Sequence, residues 1–355
     1  MPADHLAPAE PLRAFAAGVF RAAGAADDIA DEVAGHLVGA NLAGHDSHGV
    51  LRIPQYVGQI ERGDLHPAAR PTLVHETPTT ALVDAGRGFG HYTTAWTLEW
   101  ALGRAREHGL AAAAIRHSTH IGRLGTYTER ASARGLLAMV TVGNAGPGTG
   151  LVPPFGGRER FLGTNPWSVG VPAAGHEPLV FDAATSMIAQ GKVHHARARG
   201  VPLPPGCIVD RDGRPSTTPA DLYAGGALLP VGGPVAGHKG YGWSFASALF
   251  GALARAGADE APVGDAGLGW PVGGVFLMAL DPAAFGSGDR YRALTGAALA
   301  AAEGITPAPN VPSVLVPGDP ERLSRAARGR EGIPIPAATW AELEAVAARF
   351  DVPLP

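Results

Sequence analysis

The amino-acid sequence predicts an α/β fold in which helices cover a sheet, and three observations carry this prediction. Short apolar segments of strand type alternate with longer segments of helical periodicity through the middle of the chain. Both ends of the chain have helical periodicity instead. The chain has 355 residues, 46% of them apolar, so it is long enough to bury a large core.

Helical periodicity begins near the N-terminus. Residues 8–44 carry apolar side chains three and four positions apart, and a further helix is predicted to start near Arg52. Between these helices, Gly44 and Gly49 bracket a polar segment. We therefore expect this polar segment at a helix junction.

The rest of the chain is assigned in the same way. Strands are predicted at residues 79–85, 111–118, 136–144, 167–173, 178–186, 275–280 and 313–318. Helices are predicted at residues 91–109 and 126–135, after Lys239, at residues 293–303, and twice more near the C-terminus. Residues 200–237 are mostly turn-forming, so we expect them to wrap the surface or to cap a site.

Bulk composition argues against several classes of function. The formal net charge is −4 and no basic cluster appears, which argues against nucleic acids and anionic membranes as partners. No apolar run reaches the roughly 18 residues of a membrane span, and the first residues lack the pattern of a targeting segment. The single cysteine, Cys207, has no disulfide partner within the chain. A cytoplasmic location is therefore expected.

Gly86, Gly88 and Gly90 resemble a dinucleotide-binding fingerprint but do not fit it. The fingerprint needs its third glycine one position later. It also needs an acidic residue at the end of the next strand, where this chain has Arg116 and His117. We interpret these glycines as a tight turn with room for a neighbouring backbone.

The first candidate site lies in the polar segment before Arg52. His48 beside the Ser47 hydroxyl is suited to proton transfer near neutral pH. Arg52, four residues on and so one helical turn away, is suited to gripping a carboxylate. This pair predicts a 2-hydroxy or 2-oxo acid as substrate. The alternative is that Asp46 or Ser47 caps the helix of Arg52 and that the histidines are surface residues.

A second candidate site follows the strand at residues 111–118. Residues 116–125 include His120 and Arg123, and they lead from a strand into a helix, where backbone amides suit a phosphate. His120 is a candidate to face the reacting carbon. The alternative is a histidine that is hydrogen-bonded within the turn.

Two further candidates lie at predicted strand and helix ends. Short polar residues are expected at one edge of the sheet, namely Asn144, Thr164, Asn165 and Asp182. Among them, Asp182 is a candidate acceptor for ribose hydroxyls. The alternatives are a plain turn for residues 163–166 and a helix cap for Asp182. Lys239, preceded by His238 and flanked by glycines, suits a phosphate or carboxylate at a helix start.

Two other classes of function remain open. A metal-dependent lyase or hydrolase would use four histidines, namely His45, His48, His117 and His120. The chain offers no further ligands at a recognisable metal-binding spacing. A non-catalytic protein that only binds a nucleotide would use the same segments without turnover.

Six motifs taken in order carry a resemblance to a known family. They are GHDSHGVLRIPQYV, HIGRLGTYTERASARGL, PPFGGRERFLGTNPWSVGVPA, FDAATSMIAQGK, LLPVGG with GHKGYGW, and REGIPIP. In this order they resemble the malate/L-lactate dehydrogenase family. That family includes ureidoglycolate dehydrogenase, sulfolactate dehydrogenase, diketogulonate reductase and Δ1-piperideine-2-carboxylate reductase, and the resemblance spans about residues 9–350.

The resemblance implies a nicotinamide-binding fold that is not a Rossmann fold. A mixed sheet covered by helices is expected, with a helical domain formed from both chain ends. The expected domains are residues 1–78 with 306–355, for dimerisation, and residues 79–305, which bind NAD or NADP. The resemblance also implies a homodimer in which the partner subunit helps to complete the site, and no metal.

The resemblance also suggests roles for individual residues. Ser47 and His48 are similar to a proton-relay pair, with His48 as the donor to the substrate. Arg52 is similar to a carboxylate clamp and Thr164 to a substrate-contacting threonine. In some members the histidine that matches His120 is the acid or base. Positions similar to cofactor contacts are His120, Ile121, Gly122, Arg123, Leu124, Asn144, Asp182, Ala183, Ala184, His238 and Lys239.

The chain departs from the family pattern in two places. In imine-reducing members an aspartate near the segment AQGK completes the relay, whereas Gln190, Gly191 and Lys192 supply none. The family's Asp-Met-Ala-Thr-Ser is Asp-Ala-Ala-Thr-Ser here. The predicted reaction is therefore interconversion of a small 2-hydroxy acid and its 2-oxo acid, with cyclic imino-acid reduction as the alternative. Arg123 is a hint of NADP, but the choice between NAD and NADP stays open.

Overall fold

The computed structural model describes residues 5–257 and 272–355. The strands are β1 (His5–Ala7), β2 (Thr72–Glu76), β3 (Thr80–Asp84), β4 (Leu110–Arg116), β5 (Leu137–Ala145), β6 (Trp167–Val171), β7 (Leu179–Ala183), β8 (Ile208–Val209), β9 (Pro215–Ser216), β10 (Ala227–Leu228), β11 (Val272–Leu280) and β12 (Ile333–Ile335). The α-helices are α1 (Ala9–Ala22), α2 (Asp27–Leu42), α3 (Ile53–Glu61), α4 (Gly90–His108), α5 (Gly125–Ala133), α6 (Gln190–Arg199), α7 (Pro219–Tyr223), α8 (Gly233–Gly251), α9 (Gly288–Glu303), α10 (Asp319–Glu331) and α11 (Ala337–Phe350).

Seven strands form one mixed sheet in the order β2-β3-β4-β11-β5-β6-β7. In the described chain β3 and β4 are the only parallel neighbours in this sheet. These pairings make β3, β4, β5 and β7 run in one direction. Their carboxyl ends therefore lie at one edge of the sheet, together with the first residue of β6. We call this the upper edge, and it is marked by Asp84, Arg116, Asn144, Trp167 and Asp182.

Helices cover both faces of the sheet. On β5, Ala138 and Val140 belong to the core that α4 and α5 form with the sheet. Thr141 and Gly143 face α8, and a Cβ on Gly143 would lie only 2.4 Å from the backbone nitrogen of Ala248. Because side chains alternate along a strand, α8 covers the opposite face. No helix within residues 5–257 and 272–355 combines the length and the hydropathy that crossing a membrane requires.

The two ends of the chain pack together beside the sheet. Strands β1 and β12 pair antiparallel, which joins residues 5–7 to residues 333–335. One buried cluster contains apolar side chains of α1, α2, α3, β12 and α11. The ring of Phe20 in this cluster lies 5.1 Å from that of Phe89, at the start of α4. This arrangement confirms the predicted fold class, whereas the exact domain boundaries stay a prediction.

Most predicted elements are confirmed, and the differences have physical reasons. The six strands predicted between residues 79 and 280 correspond to β3–β7 and β11. The strand predicted at residues 313–318 is wrong, because Pro317 has no N–H and the N–H of Val316 binds the Asp319 carboxylate. Strands β1, β2 and β12 were not predicted, since they are short or, for β2, exposed throughout and without alternation. Residues 200–237 also contain a small sheet in the order β10-β8-β9.

Candidate active site

The polar segment between α2 and α3 forms two 3-10 turns, Asp46–His48 and Val50–Arg52. Gly49 lies between them with extended backbone. A side chain at this position has no room, since an ideal Cβ would lie 2.2 Å from Oδ1 of Asn41. The extended residue separates the two turns. The prediction that His48 and Arg52 lie one helical turn apart is therefore wrong.

Asn41 and Arg328 hold this segment in place. The Asn41 side chain accepts from the N–H of Val50 at 2.9 Å and donates to the Asp46 carboxylate at 2.7 Å. Arg328 of α10 pairs with the same carboxylate at 2.6 Å. Neither Asp46 nor Ser47 caps a helix, so the capping alternative is wrong. Asp46 instead ties the candidate site to the C-terminal part of the chain.

Ser47, His48 and Arg52 remain close despite the interrupted helix. Ser47 Oγ lies 3.0 Å from Nδ1 of His48. Arg52 donates through Nε to the Ser47 carbonyl oxygen at 2.7 Å and through Nη1 to Gln55 at 2.6 Å. Among residues 5–257 and 272–355, Nη2 of Arg52 has no hydrogen-bond partner. This nitrogen is available for a ligand carboxylate.

His120, in the loop after β4, joins this cluster through the fold. Its ring is stacked on that of His48, with centroids 5.5 Å apart and planes inclined by 14°. Its Nδ1 lies 2.6 Å from the hydroxyl of Tyr56 in α3, and this hydroxyl lies 3.4 Å from Nε2 of His91 in α4. Tyr56 belongs to the motif GHDSHGVLRIPQYV, but no role was predicted for it, and His91 was not predicted as a site residue. The position of Tyr56 four residues after Arg52, on the predicted helix, was the available signal.

Burial keeps the imidazoles of this cluster neutral. It lowers the pKa of His48 to about 4, with the positive charge of Arg52 as the second cause. It lowers the pKa of His91 to about 3 and that of His120 well below its usual range. Burial also raises the pKa of the Tyr56 hydroxyl. At neutral pH each ring therefore has one N–H and one nitrogen lone pair.

Arg123 and Asp182 lie at the upper edge and are turned inward. Arg123 is 1% exposed; its Nη2 donates to Glu129 at 2.9 Å, and its Nε lies 3.7 Å from the Asp182 carboxylate. Asp182 accepts from the N–H of Gly125, the first residue of α5, at 2.7 Å. Burial raises the pKa of Asp182, and Arg123 opposes this shift. The geometry thus favours the alternative that Asp182 caps a helix, and it does not support Arg123 as a hint of NADP.

Asn144, near the end of β5, and Thr164, in the loop before β6, lie at the upper edge, and hydrogen bonds hold both segments in place. The Asn165 side chain binds the N–H of Asn144 at 3.0 Å and its carbonyl oxygen at 3.1 Å. Thr185 donates its N–H to the Thr164 carbonyl at 2.9 Å. In the described part of the chain, Oδ1 of Asn144 is buried without a hydrogen-bond partner. Because such an oxygen is costly to leave unpaired, it indicates the position of a ligand donor.

A cleft of about 310 Å³ opens at the upper edge between β4, β5 and β11. Its walls include three glycines, Gly143, Gly273 and Gly274, and two arginines, Arg116 and Arg255. These glycines let the backbones of strand and helix pack closely, and guanidinium groups favour an anion. Asn144, with its unpaired oxygen, is also part of the wall. The guanidinium groups and the unpaired oxygen of Asn144 together fit an anionic ligand with hydrogen-bond donors, such as a nicotinamide dinucleotide.

The stretch from His120 to Leu124 offers a ligand mainly its backbone. Ile121 and Leu124 are buried in the core of the sheet domain. Gly122 has a positive φ of 72°, and an ideal Cβ on it would lie 2.3 Å from Nε2 of His36. Only glycine allows this close approach.

The remaining predicted cofactor positions lie at the end of β7 and on α8. Ala183 ends β7 and Ala184 follows it. His238 and Lys239 are exposed, and the His238 ring lies 5.7 Å from that of Phe155. Helix α8 begins at Gly233 but is broken at Ala236, so Lys239 lies in the first turn after this break, at a helix start as predicted. The roles of all these positions stay predictions.

The four histidines of the metal hypothesis do not converge. His45 lies 2.9 Å from Glu321 and His117 lies 3.0 Å from Asp84, whereas His48 and His120 stack on each other. Within residues 5–257 and 272–355, no three side chains of metal-ligating type form a group that could hold an ion. The histidines thus serve separate contacts, and the metal-dependent alternative is not favoured.

The start of α6 packs against Ser47. An ideal Cβ on Gly191 would lie 3.3 Å from the Ser47 Cβ. Position 191 is therefore where a side chain would reach the Ser47–His48 pair, and glycine supplies none. The sequence alone shows that this segment has no carboxylate, but the contact of Gly191 with Ser47 comes from the tertiary structure.

Comparison with known proteins agrees with this geometry. The profile of the family described as Malate/L-lactate dehydrogenase matches residues 7–344. Hydroxycarboxylate dehydrogenase B of Escherichia coli (strain K12) is 34% identical, over 99% of this chain and 96% of its own. Delta(1)-pyrroline-2-carboxylate reductase of Ancylobacter novellus is 36% identical, over 92% of this chain and 93% of its own length. The solved structure of sulfolactate dehydrogenase from Methanocaldococcus jannaschii superposes with a TM-score of 0.86 at 27% identity, covering 99% of this chain and 98% of that one.

Proposed function

The chain belongs to the malate/L-lactate dehydrogenase family, and from this premise we propose that it interconverts a small 2-hydroxy acid and its 2-oxo acid with NAD or NADP. As a member of this family it is an oxidoreductase. One observation carries the proposal: the stacked, neutral rings of His48 and His120 lie in one cluster with Arg52. An acid–base group beside a carboxylate-binding group is what a 2-hydroxy acid requires.

Arg52 binds the substrate carboxylate in this proposal. Its Nη2 is the nitrogen without a protein partner in the described chain, and Nη1 shares its hydrogens between Gln55 and the ligand. The bond from Nε to the Ser47 carbonyl keeps the guanidinium in a fixed orientation. A clamp held in this way places C2 of the acid beside the two imidazoles, and most of the acceleration comes from this positioning.

His48 moves the proton. In the oxidation direction its neutral ring accepts the proton of the 2-hydroxyl while the hydrogen on C2 leaves as hydride and the carbonyl forms. When bound, the nicotinamide supplies the hydride acceptor for this direction and the hydride donor for the reverse. In reduction the protonated imidazole returns its proton to the oxygen on C2. The Ser47 hydroxyl, 3.0 Å from Nδ1, orients the ring.

The upper edge holds the dinucleotide in this proposal. The residues that would contact it are Asn144 through Oδ1, the backbone from His120 to Leu124, Ala183 and Ala184, and His238 with Lys239. The buried unpaired oxygen of Asn144 and the guanidinium groups of the cleft support this position. Thr164, on the adjoining loop, would contact the substrate.

A 2-oxo acid is favoured over a cyclic imine. Gly191 adjoins Ser47 and leaves the relay without a carboxylate from α6. One relative is named as a reductase of a cyclic imino acid, so the substrate test must include that class.

We also propose that the protein is a homodimer with the site at the subunit interface. The exposed face of α8 carries large apolar side chains, and Trp243 is 60% exposed. An apolar face of this kind supports burial against a second subunit. Light scattering should then give about twice the chain mass of 36.2 kDa. A monomer at micromolar concentration would contradict the dimer, and a cytoplasmic location stays a prediction.

A substrate panel tests the proposed function. The purified protein is mixed with the 2-oxo acids that correspond to lactate, malate and ureidoglycolate, and with cyclic imino acids. Each compound is tested with NADH and with NADPH. We expect steady loss of the reduced-nicotinamide absorbance with at least one 2-oxo acid. Activity confined to cyclic imines, or no turnover with any compound, would contradict the proposal.

A further inference from the structure

The hydroxyl of Tyr56 lies between two histidines in a sealed part of the molecule. Its oxygen is 2.6 Å from Nδ1 of His120 and 3.4 Å from Nε2 of His91. Tyr56 is 1% exposed, so neither solvent nor a substrate reaches this hydroxyl. The hydroxyl has one hydrogen and two neighbouring ring nitrogens. The nitrogen that accepts its hydrogen bond must carry a lone pair, which fixes the tautomer of that ring.

The distances identify the recipient. Hydrogen bonds donated by a hydroxyl are typically shorter than those donated by a ring N–H, so the contact of 2.6 Å fits O–H donation to His120. Burial raises the pKa of Tyr56, so the hydroxyl keeps its proton, and burial lowers the pKa of His120, so that ring keeps a lone pair. The longer contact of 3.4 Å fits a weak bond from the N–H of His91 to the tyrosine oxygen.

We propose that Tyr56 is a positioning residue that fixes His120 as a hydrogen-bond donor. The Tyr56 hydroxyl donates a hydrogen bond to Nδ1 of His120, so the ring hydrogen stays on Nε2. This inference rests on the proposed function. Under it, the two stacked rings have different tasks. His120 donates a hydrogen bond to the oxygen on C2, which stabilises negative charge there, and His48 alone accepts the proton.

Two buried imidazole rings, those of His36 and His91, pack next to this arrangement. Nε2 of His36 accepts from the N–H of Arg123 at 2.9 Å, so its hydrogen lies on Nδ1. The His36 ring packs edge-on against His91 at 4.8 Å, and His91 packs against Tyr56 at 5.4 Å. The nearest acceptor for the tyrosine hydroxyl is therefore Nδ1 of His120, at 2.6 Å, against 3.4 Å for Nε2 of His91.

The tautomer can be measured without any turnover. Protein labelled with ¹⁵N-histidine is examined by long-range proton–nitrogen NMR, and a His120→Gln variant assigns the His120 signals. We expect the hydrogen of His120 on Nε2 in the wild type. In Tyr56→Phe we expect a mixture of tautomers or a shift to Nδ1.

The matched control is Tyr127→Phe. Tyr127 is fully buried, and its hydroxyl donates to backbone carbonyls, that of Ile121 at 2.6 Å and that of His91 at 3.5 Å, rather than to an imidazole nitrogen. This variant loses a comparable buried bond and should leave the tautomer of His120 unchanged. A wild-type hydrogen on Nδ1, or an unchanged tautomer in Tyr56→Phe, would overturn the proposal. If Tyr56→Phe does not fold, the position of the His120 ring hydrogen in the wild-type spectrum still tests the proposal.

Kinetics give an independent readout. The side-chain amide introduced by His120→Gln retains an N–H donor near the position of Nε2, so the kcat of this variant should exceed that of His120→Ala by at least about tenfold. Tyr56→Phe should lower kcat by about tenfold or more and change the KM of the acid less than about threefold. Equal kcat values for His120→Gln and His120→Ala would contradict the inference. If the wild type turns over no 2-oxo acid, the proposed function fails while the NMR measurement still tests Tyr56.

Discussion

The imidazole ring of His48 lies parallel to that of His120, with the ring centroids 5.5 Å apart. Each ring has a hydroxyl on its Nδ1, from Ser47 in one case and from Tyr56 in the other. Ser47 is partly buried and can donate or accept, whereas Tyr56 is sealed between two histidines. Two rings so close together but differently bonded can have different roles, and single substitutions separate these roles.

Replacing His48 by alanine should lower kcat by ~10²–10⁴, the usual contribution of a general acid or base. The affinity for the dinucleotide should change little, because Asn144 and the glycine-walled cleft are intact. Steady-state kinetics and nucleotide titration measure the two effects. His75→Ala, on the exposed strand β2, is the control. Full activity of His48→Ala combined with loss of activity in His120→Ala would reverse the assigned roles.

Replacing Arg52 by lysine should raise the KM of the acid and lower kcat, by about tenfold or more in kcat/KM. An ammonium group cannot bind the Ser47 carbonyl, Gln55 and a carboxylate in one plane. The measurement is kcat/KM with the best acid of the panel. Arg62→Lys, in an exposed pair with Asp64, is the control and should match the wild type. Unchanged kinetics in Arg52→Lys would remove this residue from the site.

The pH dependence should differ between the two directions of the reaction. Burial and the charges of Arg52, His45 and Arg123 lower the pKa of His48 to about 4. Oxidation needs the neutral ring, so its kcat/KM should rise with pH up to about 4 and then stay level. Reduction needs the protonated ring, so its kcat/KM should fall tenfold per pH unit above that value. Profiles of kcat/KM between pH 5 and 9 check this, and a level reduction profile would contradict it.

Replacing Gly49 by alanine should disrupt the site, because the new Cβ would lie 2.2 Å from Oδ1 of Asn41. Displacing Asn41 leaves the N–H of Val50 without its acceptor, at a cost of about 1–3 kcal/mol in the free energy of unfolding. Chemical denaturation measures this loss. Gly35→Ala in α2 is the control, since nothing lies within 4 Å of its ideal Cβ. That variant should be neutral or stabilising by up to about 1 kcal/mol, and equal effects of the two substitutions would refute the steric argument.

The fold was predictable wherever local pattern and tertiary environment agree. Strands β4 and β5 are buried in the sheet and have near-continuous apolar sequences, so their patterns were sufficient. Strand β2 is exposed along its length, so it has no alternation to detect. The prolines near residue 317 show the opposite case, in which apolar residues suggested a strand that lacks the N–H groups for pairing.

Sequence by itself determined the chemistry available at the site, because Ser47, His48 and Arg52 are close along the chain. The tertiary structure alone decided how that chemistry is arranged. It stacked His120 on His48, sealed Tyr56 between two histidines and turned Arg123 inward against carboxylates. The physical reason is that contacts between distant segments, and the burial that shifts their pKa values, depend on the order of strands in the sheet. A local pattern does not encode that order.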